Sequence, residues 1–177
     1  MWADQPATRA HANIAGYIAG GMSAISSTTA AQNSTFVSSW DEEVEAAARS
    51  QEFRERAAAF RAIGQFRYRQ KTELLRRGLD DPSPACRGSA LLSFELLSRD
   101  HPGVVNAVRP ALHELVTHDG NDAVRRLAVL SLRNGSAQRD TIAILAALAD
   151  DEQAGRELRE TAAKVAQALR RRAGPTR

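Results

Sequence analysis

The sequence predicts an all-α fold, a right-handed α-α superhelix of stacked helical hairpins, and three observations carry that prediction. An aspartate and an arginine six residues apart recur at an interval of 38, as Asp81 with Arg87 and Asp119 with Arg125. Each pair lies in a polar turn between segments whose apolar residues fall every three or four positions, the helical period. A repeat of that length is the signature of stacked hairpins, because a pair of helices cannot bury its apolar stripe without a neighbour. Composition agrees: 43% of the 177 residues are hydrophobic, enough for a core without metal or disulfide support.

Residues 1–65 read as an irregular helical N-terminal region containing a degenerate leading repeat. Within it, residues 8–32 form a helix or broken helix of Ala, Gly, Ser and Thr, with Gly16 and Gly20 spaced for close approach by another helix. This stretch has the small residues of a secretory leader, but it lacks leucine and Asp4 precedes it, so packing against the first helices is the plainer reading. Ser39 and Glu42 make a capping box that opens a helix from about Trp40 to Arg49. Phe53, Ala57, Phe60 and Ile63 mark one face of the next helix, which ends near Gly64.

Residues 66–172 divide into three repeats, followed by a basic tail at 173–177. In the first, Leu74, Leu75 and Leu79 face inward from a first-position helix. The turn Asp80-Asp81-Pro82-Ser83 then leads into a second-position helix that Ser83 caps and Pro84 opens. Cys86, Ala90, Phe94 and Leu97 share one face of it, which makes the single cysteine a core residue. In the second, Val104, Val105, Val108, Leu112 and Leu115 precede a turn in which Asn121 takes the place of Ser83. Val124, Ala128 and Leu132 follow, and Asn134-Gly135 ends the helix. Pro110 removes a backbone donor inside the first helix of this pair and is expected to bend it. The third carries Ile142, Leu145 and Leu148, then Leu158, Ala162, Val165 and Leu169 after a turn about two residues longer.

The Leu-Asp-Asp-Pro-Ser-Pro run at 79–84 with Arg87, the pair Asp119 and Arg125, and Pro110 inside a first-position helix resemble the HEAT repeat family of armadillo-like helical solenoids. The likeness covers residues 66–172 and is weaker in the third unit, where Asp151 and Arg159 are eight apart. It implies that Asp81, Arg87, Asp119 and Arg125 bond within and between units as a structural ladder. It also implies a curved platform for other macromolecules with no activity of its own.

The chemistry of the remaining residues points the same way. His113 and His118 flank Glu114 at a spacing of five, which sets their rings about 140° apart around a helix and denies them a shared zinc ion. Asp80-Asp81 and Asp150-Asp151-Glu152 occupy inter-helix turns, where capping and the helix dipole favour acids. No phosphate loop, nucleophile elbow or Cys-His cluster is present, so neither an enzyme nor a cofactor is expected.

Charge is distributed unevenly around a net +3, with +5 over 51–77 and +4 over 170–177. Of the 24 basic residues 22 are arginine, in an alanine-rich background typical of a high-GC genome. The leading expectation is a non-catalytic scaffold or adaptor that binds another protein, with Arg99, Arg126 and Arg133 as contact residues on the second-position helices. The alternative is nucleic-acid binding through Arg67, Arg69, Lys71, Arg76 and Arg77, with Arg170, Arg171, Arg172 and Arg177 of the tail. Against it, no aromatic follows Phe94, so the C-terminal half offers no base-stacking platform. A third reading makes the N-terminal segment an oligomerisation or docking element. No run of about eighteen apolar residues spans a bilayer, and a cytoplasmic location is expected.

Overall fold

The computed structural model describes residues 40–174, among which every regular element is helical and no strand occurs. The segment 8–32 with Gly16 and Gly20, the Ser39 half of the capping box, and Arg177 lie outside the described residues. Residues 40–48 form α1. Next come α2 (Phe53–Gln65), a 3-10 turn (Arg69–Lys71), α3 (Thr72–Gly78) and α4 (Pro84–Ser98). The remaining helices are α5 (Gly103–Ala107), α6 (Arg109–His118), α7 (Asp122–Leu132), α8 (Arg139–Asp150) and α9 (Arg156–Ala173).

Three hairpins result, with α3 packed on α4, α6 on α7 and α8 on α9. The second members also pack on one another in succession, α2 on α4, α4 on α7 and α7 on α9, while α6 touches α8 in the other row. One connected apolar interior runs through all of them, from Ile63, Leu75 and Leu79 through Leu91, Phe94 and Leu97 to Leu112, Leu132, Leu145, Leu158 and Leu169. Each fully buried side chain of this size stabilises the fold by roughly 1.5–3 kcal/mol, so the interior shared between hairpins outweighs any single polar contact.

Two small residues let the second-position row close up. At Gly64 on α2, an added Cβ would lie 2.6 Å from the Cβ of Ser93 on α4, so no larger side chain fits without moving a helix. Ser93 uses the space to donate its buried hydroxyl to the carbonyl of Phe60 at 2.6 Å. One repeat later, Ser131 on α7 donates to Leu127 O at 3.0 Å and reaches Leu91 O on α4 at 3.3 Å.

Three local expectations change. Pro110 divides its helix rather than bending it: α5 stops at Ala107 and Val108 leaves helical geometry (φ −107°, ψ 11°) before α6 begins. The proline ring clashes with the carbonyl four residues back, that of Asn106, and supplies no amide to it. Ser83 stands at the N-cap of α4 in extended backbone, but its hydroxyl accepts no capping bond. Asp81 Oδ1 takes the Ser83 amide at 2.8 Å instead. Finally Phe53, read as part of an apolar face, is 43% exposed, with the Arg54 guanidinium 5.7 Å above its ring.

Candidate functional site

The polar turns that open the second-position helices carry two carboxylate-guanidinium rungs. Arg56 of α2 grips Asp81 through Nε (2.7 Å to Oδ2) and Nη2 (2.9 Å to Oδ1). Arg87 of α4 grips Asp119 with the same two nitrogens at the same two distances. In each case Nη1 turns back to the arginine's own turn, to the carbonyls of Ser50 and Gln51 for Arg56 and of Asp81 and Pro82 for Arg87. The inner oxygen of each aspartate also accepts an amide two residues on, from Ser83 and from Asn121. Asp81 and Arg87 therefore meet through a backbone carbonyl, while the carboxylate bonds run from one unit to the next. Such bidentate, charge-assisted pairs fix orientation as well as distance.

Burial tends to raise the Asp81 carboxyl, but the Arg56 guanidinium and the Ser83 amide more than offset it and hold it below the ordinary carboxylate range. The Arg56 guanidinium is held charged by the hydrogen bond to Asp81, against the opposing effect of burial. Asp81 is thus held as an anion facing a cation.

The ladder stops in the third unit. Arg125 bonds Val116 O at 3.0 Å and Asp122 at 3.3 Å, and the Asp151 carboxylate accepts the amide of Gln153 in place of a guanidinium. Asp151 and Arg159 stand eight residues apart where Asp119 and Arg125 stand six apart. Arg159, the corresponding arginine of α9, leaves a buried Nε with no acceptor. Arg56 was not singled out in the sequence because Ser50 stands where the later turns have aspartate. The signal was present: Ser50 precedes Arg56 by six residues, and its hydroxyl accepts the Glu52 amide as Asp81 accepts that of Ser83.

A second arrangement lies at the opposite ends of the same helices. Arg99 and Arg133, which follow α4 and α7, both reach Glu95, at 3.0 and 3.4 Å. Arg172 in the last turn of α9 donates to the carbonyls of Arg133 and Gly135. Arg67, just beyond α2, pairs with Asp100 beside Arg99. Arg126 is not part of this group: it pairs with Glu157 at 3.0 Å, near the other end of α7.

The basic stretch 67–77 does not converge. Lys71 is held between Asp41 (3.1 Å) and Glu45 (2.6 Å), and Arg76 by Glu73 on its own helix at 2.8 Å. Arg69 and Arg77 are exposed, as are Arg170 and Arg171. His113 and His118 part as their spacing requires, the former 2.9 Å from Thr141 Oγ1 and the latter 3.1 Å from the Glu114 carboxylate. Among the described residues no cluster of three or more His, Cys, Asp or Glu could hold a metal ion, and no helix is long and apolar enough to cross a membrane.

Among the described residues, one buried charged side chain was not singled out in the sequence. Arg109 is 6% exposed and spends its guanidinium on Thr141 Oγ1 (2.8 Å), Ser136 Oγ (2.8 Å) and Asn106 Oδ1, with no carboxylate among its partners. Position 109 falls on the stripe of Val105, Leu112 and Val116, so a cation in a core slot was the available signal. Burial pushes its guanidinium down from the usual value. Burial, reinforced by the Arg109 charge and opposed by Asp140, also keeps His113 below the ordinary histidine range.

No family model matches this chain, and no curated protein matches it in sequence.

Proposed function

We propose that this protein is a non-catalytic interaction scaffold, built as a HEAT-like right-handed α-α superhelix whose repeats occupy residues 66–172. The observation that carries the reading is the use made of the chain's acid-base pairs. Asp81 and Asp119 each meet a guanidinium at 2.7 and 2.9 Å and an amide at 2.8 Å, which occupies them in joining one unit to the next. At the far ends of the second-position helices Arg67, Arg99 and Arg133 pair with Asp100 and Glu95 but keep about half of their side chains exposed, within reach of another molecule. A repeat stack leaves one row of helices and its edges free in this way, and that is the physical basis of its use as a platform.

Capture from a cell lysate on the immobilised chain, with and without nuclease, tests the reading. The scaffold predicts a defined protein retained after nuclease treatment and at moderate salt. Loss of every captured protein on nuclease treatment would instead assign the surface to nucleic acid, whose counterion-release binding weakens steeply with salt.

A further inference from the structure

We infer that the junction between the second and third repeats is a pH-sensitive joint, in which α8 docks on α6 while His113 Nε2 is free of a proton and is released when that nitrogen takes one up. The carboxylate ladder omits this junction, since Arg125 meets Val116 O and Asp122 instead of Asp151. In its place, on the first-position row, stands the cluster around Arg109. That guanidinium reaches Thr141 Oγ1 of α8 at 2.8 Å, Ser136 Oγ just before α8 at 2.8 Å, and Asn106 Oδ1 of α5. Asn106 Oδ1 also accepts the Ser136 amide at 2.9 Å. Neutral acceptors hold a guanidinium less strongly than a carboxylate does, so this joint is weaker than the rungs.

The state of His113 follows from what can donate and what can accept. Thr141 is fully buried, and Arg109 can only donate to its oxygen. The acceptor within reach of the Thr141 hydroxyl proton is His113 Nε2, 2.9 Å away. Buried hydroxyl protons are paired, so Thr141 donates to Nε2 and the neutral ring carries its own proton on Nδ1. A proton added at Nε2 turns this acceptor into a donor facing a donor, and it sets a second positive charge beside Arg109. Rotating the hydroxyl offers no relief, because among the described residues Arg109 and His113 are the only hydrogen-bond partners of that oxygen.

The surrounding charges act in the same direction. Burial disfavours the charged imidazole, Arg109 one turn earlier on α6 adds to that, and Asp140 at the start of α8 opposes both. Of the other charged groups nearby, Glu114 is turned to His118, and Arg125, which α7 sends to the Val116 carbonyl of α6, is paired with Asp122. The second-position row takes no part in the change. Because α7 and α9 stay packed, the third hairpin pivots on that contact instead of detaching. A surface spanning the second and third repeats is then presented in one arrangement at neutral pH and in another in acid, whatever the chain binds.

Nuclear magnetic resonance on the isotope-labelled chain, from about pH 7.5 to about pH 4.5, tests the joint across the range in which histidine titrates. At the upper end the His113 ring shows its proton on Nδ1, and a nuclear Overhauser contact joins the Thr141 and Arg109 side chains. On acidification that contact is lost with the midpoint at which His113 titrates, below 6.5, while the contact between Leu91 and Ser131 persists. His113→Gln, which still offers Thr141 an acceptor and does not titrate, keeps the Thr141–Arg109 contact throughout. Four results overturn the proposal: a neutral ring protonated on Nε2, a His113 that stays neutral to about pH 4.5 or keeps the contact once protonated, loss of the Leu91–Ser131 contact at the same midpoint, or the same loss in His113→Gln.

Discussion

At the scale of single residues, the ladder makes unequal demands on chemically similar side chains. The Asp119 side chain is 3% exposed and accepts from Nε and Nη2 of Arg87. Arg87→Ala would leave that carboxylate buried without its cation, a change that costs about 3 kcal/mol in comparable cases. Asp151 has no guanidinium partner and accepts one amide, so Asp151→Ala is expected to cost less than about 1 kcal/mol. Urea denaturation of the two variants measures the contrast, and equal losses would contradict the assignment of the rungs.

Acid titration probes two other groups. His113 is held below its usual 6.5, so the unfolded chain takes up its proton first, and stability declines as pH falls below 6.5. Asp81 is held below 3.8, and the stability it adds is complete above that pH and lost as pH falls through its lower folded value. Urea midpoints from neutral pH to pH 3 should show one decline that begins below 6.5 and another that begins below 3.8. His113→Gln should abolish the first alone.

At the scale of the elements, close approach of α2 and α4 depends on a position with no side chain. Gly64→Ala places a methyl against Ser93 and is expected to cost about 1–3 kcal/mol, the usual range for overpacking. Gly120, around which an added Cβ meets nothing within 4 Å, is the control, and its alanine variant should stay near wild type. Thermal unfolding of both distinguishes packing from a general loss of backbone freedom. The helices themselves were readable from periodicity, because Leu74, Leu75, Ala90, Phe94, Ala128 and Leu132 recur at helical spacing and all are buried. The break at Val108 was not. A proline in the first turn of one helix and a proline inside another look alike until the packing partner is known.

At the scale of the whole molecule, the period of 38 seen in the sequence also sets which charges meet. An aspartate and an arginine six apart in each of two units place Arg87 of one unit 32 residues before Asp119 of the next, and that longer pairing is the one that forms. Sequence spacing exposed the residues but not the direction of the bond, because the shorter separation brings Arg87 to the Asp81 carbonyl and not to its carboxylate. The arginine cluster at the opposite helix ends was half legible for the same reason. Arg99 and Arg133 were expected as contact residues together with Arg126, which pairs elsewhere, whereas Arg67 and Arg172, expected for nucleic acid, join them only once the helix ends are side by side.

The hairpins share one interior, and the rungs lock them to each other. Native-state hydrogen exchange on the wild-type chain and on Arg87→Ala checks this. Slow exchange is expected throughout α2, α4, α7 and α9, and in the variant a loss of protection on both sides of the broken rung, in α4 and α7 together. Loss confined to the turn around Asp81, with α7 unchanged, would show that the units are held separately and would contradict it.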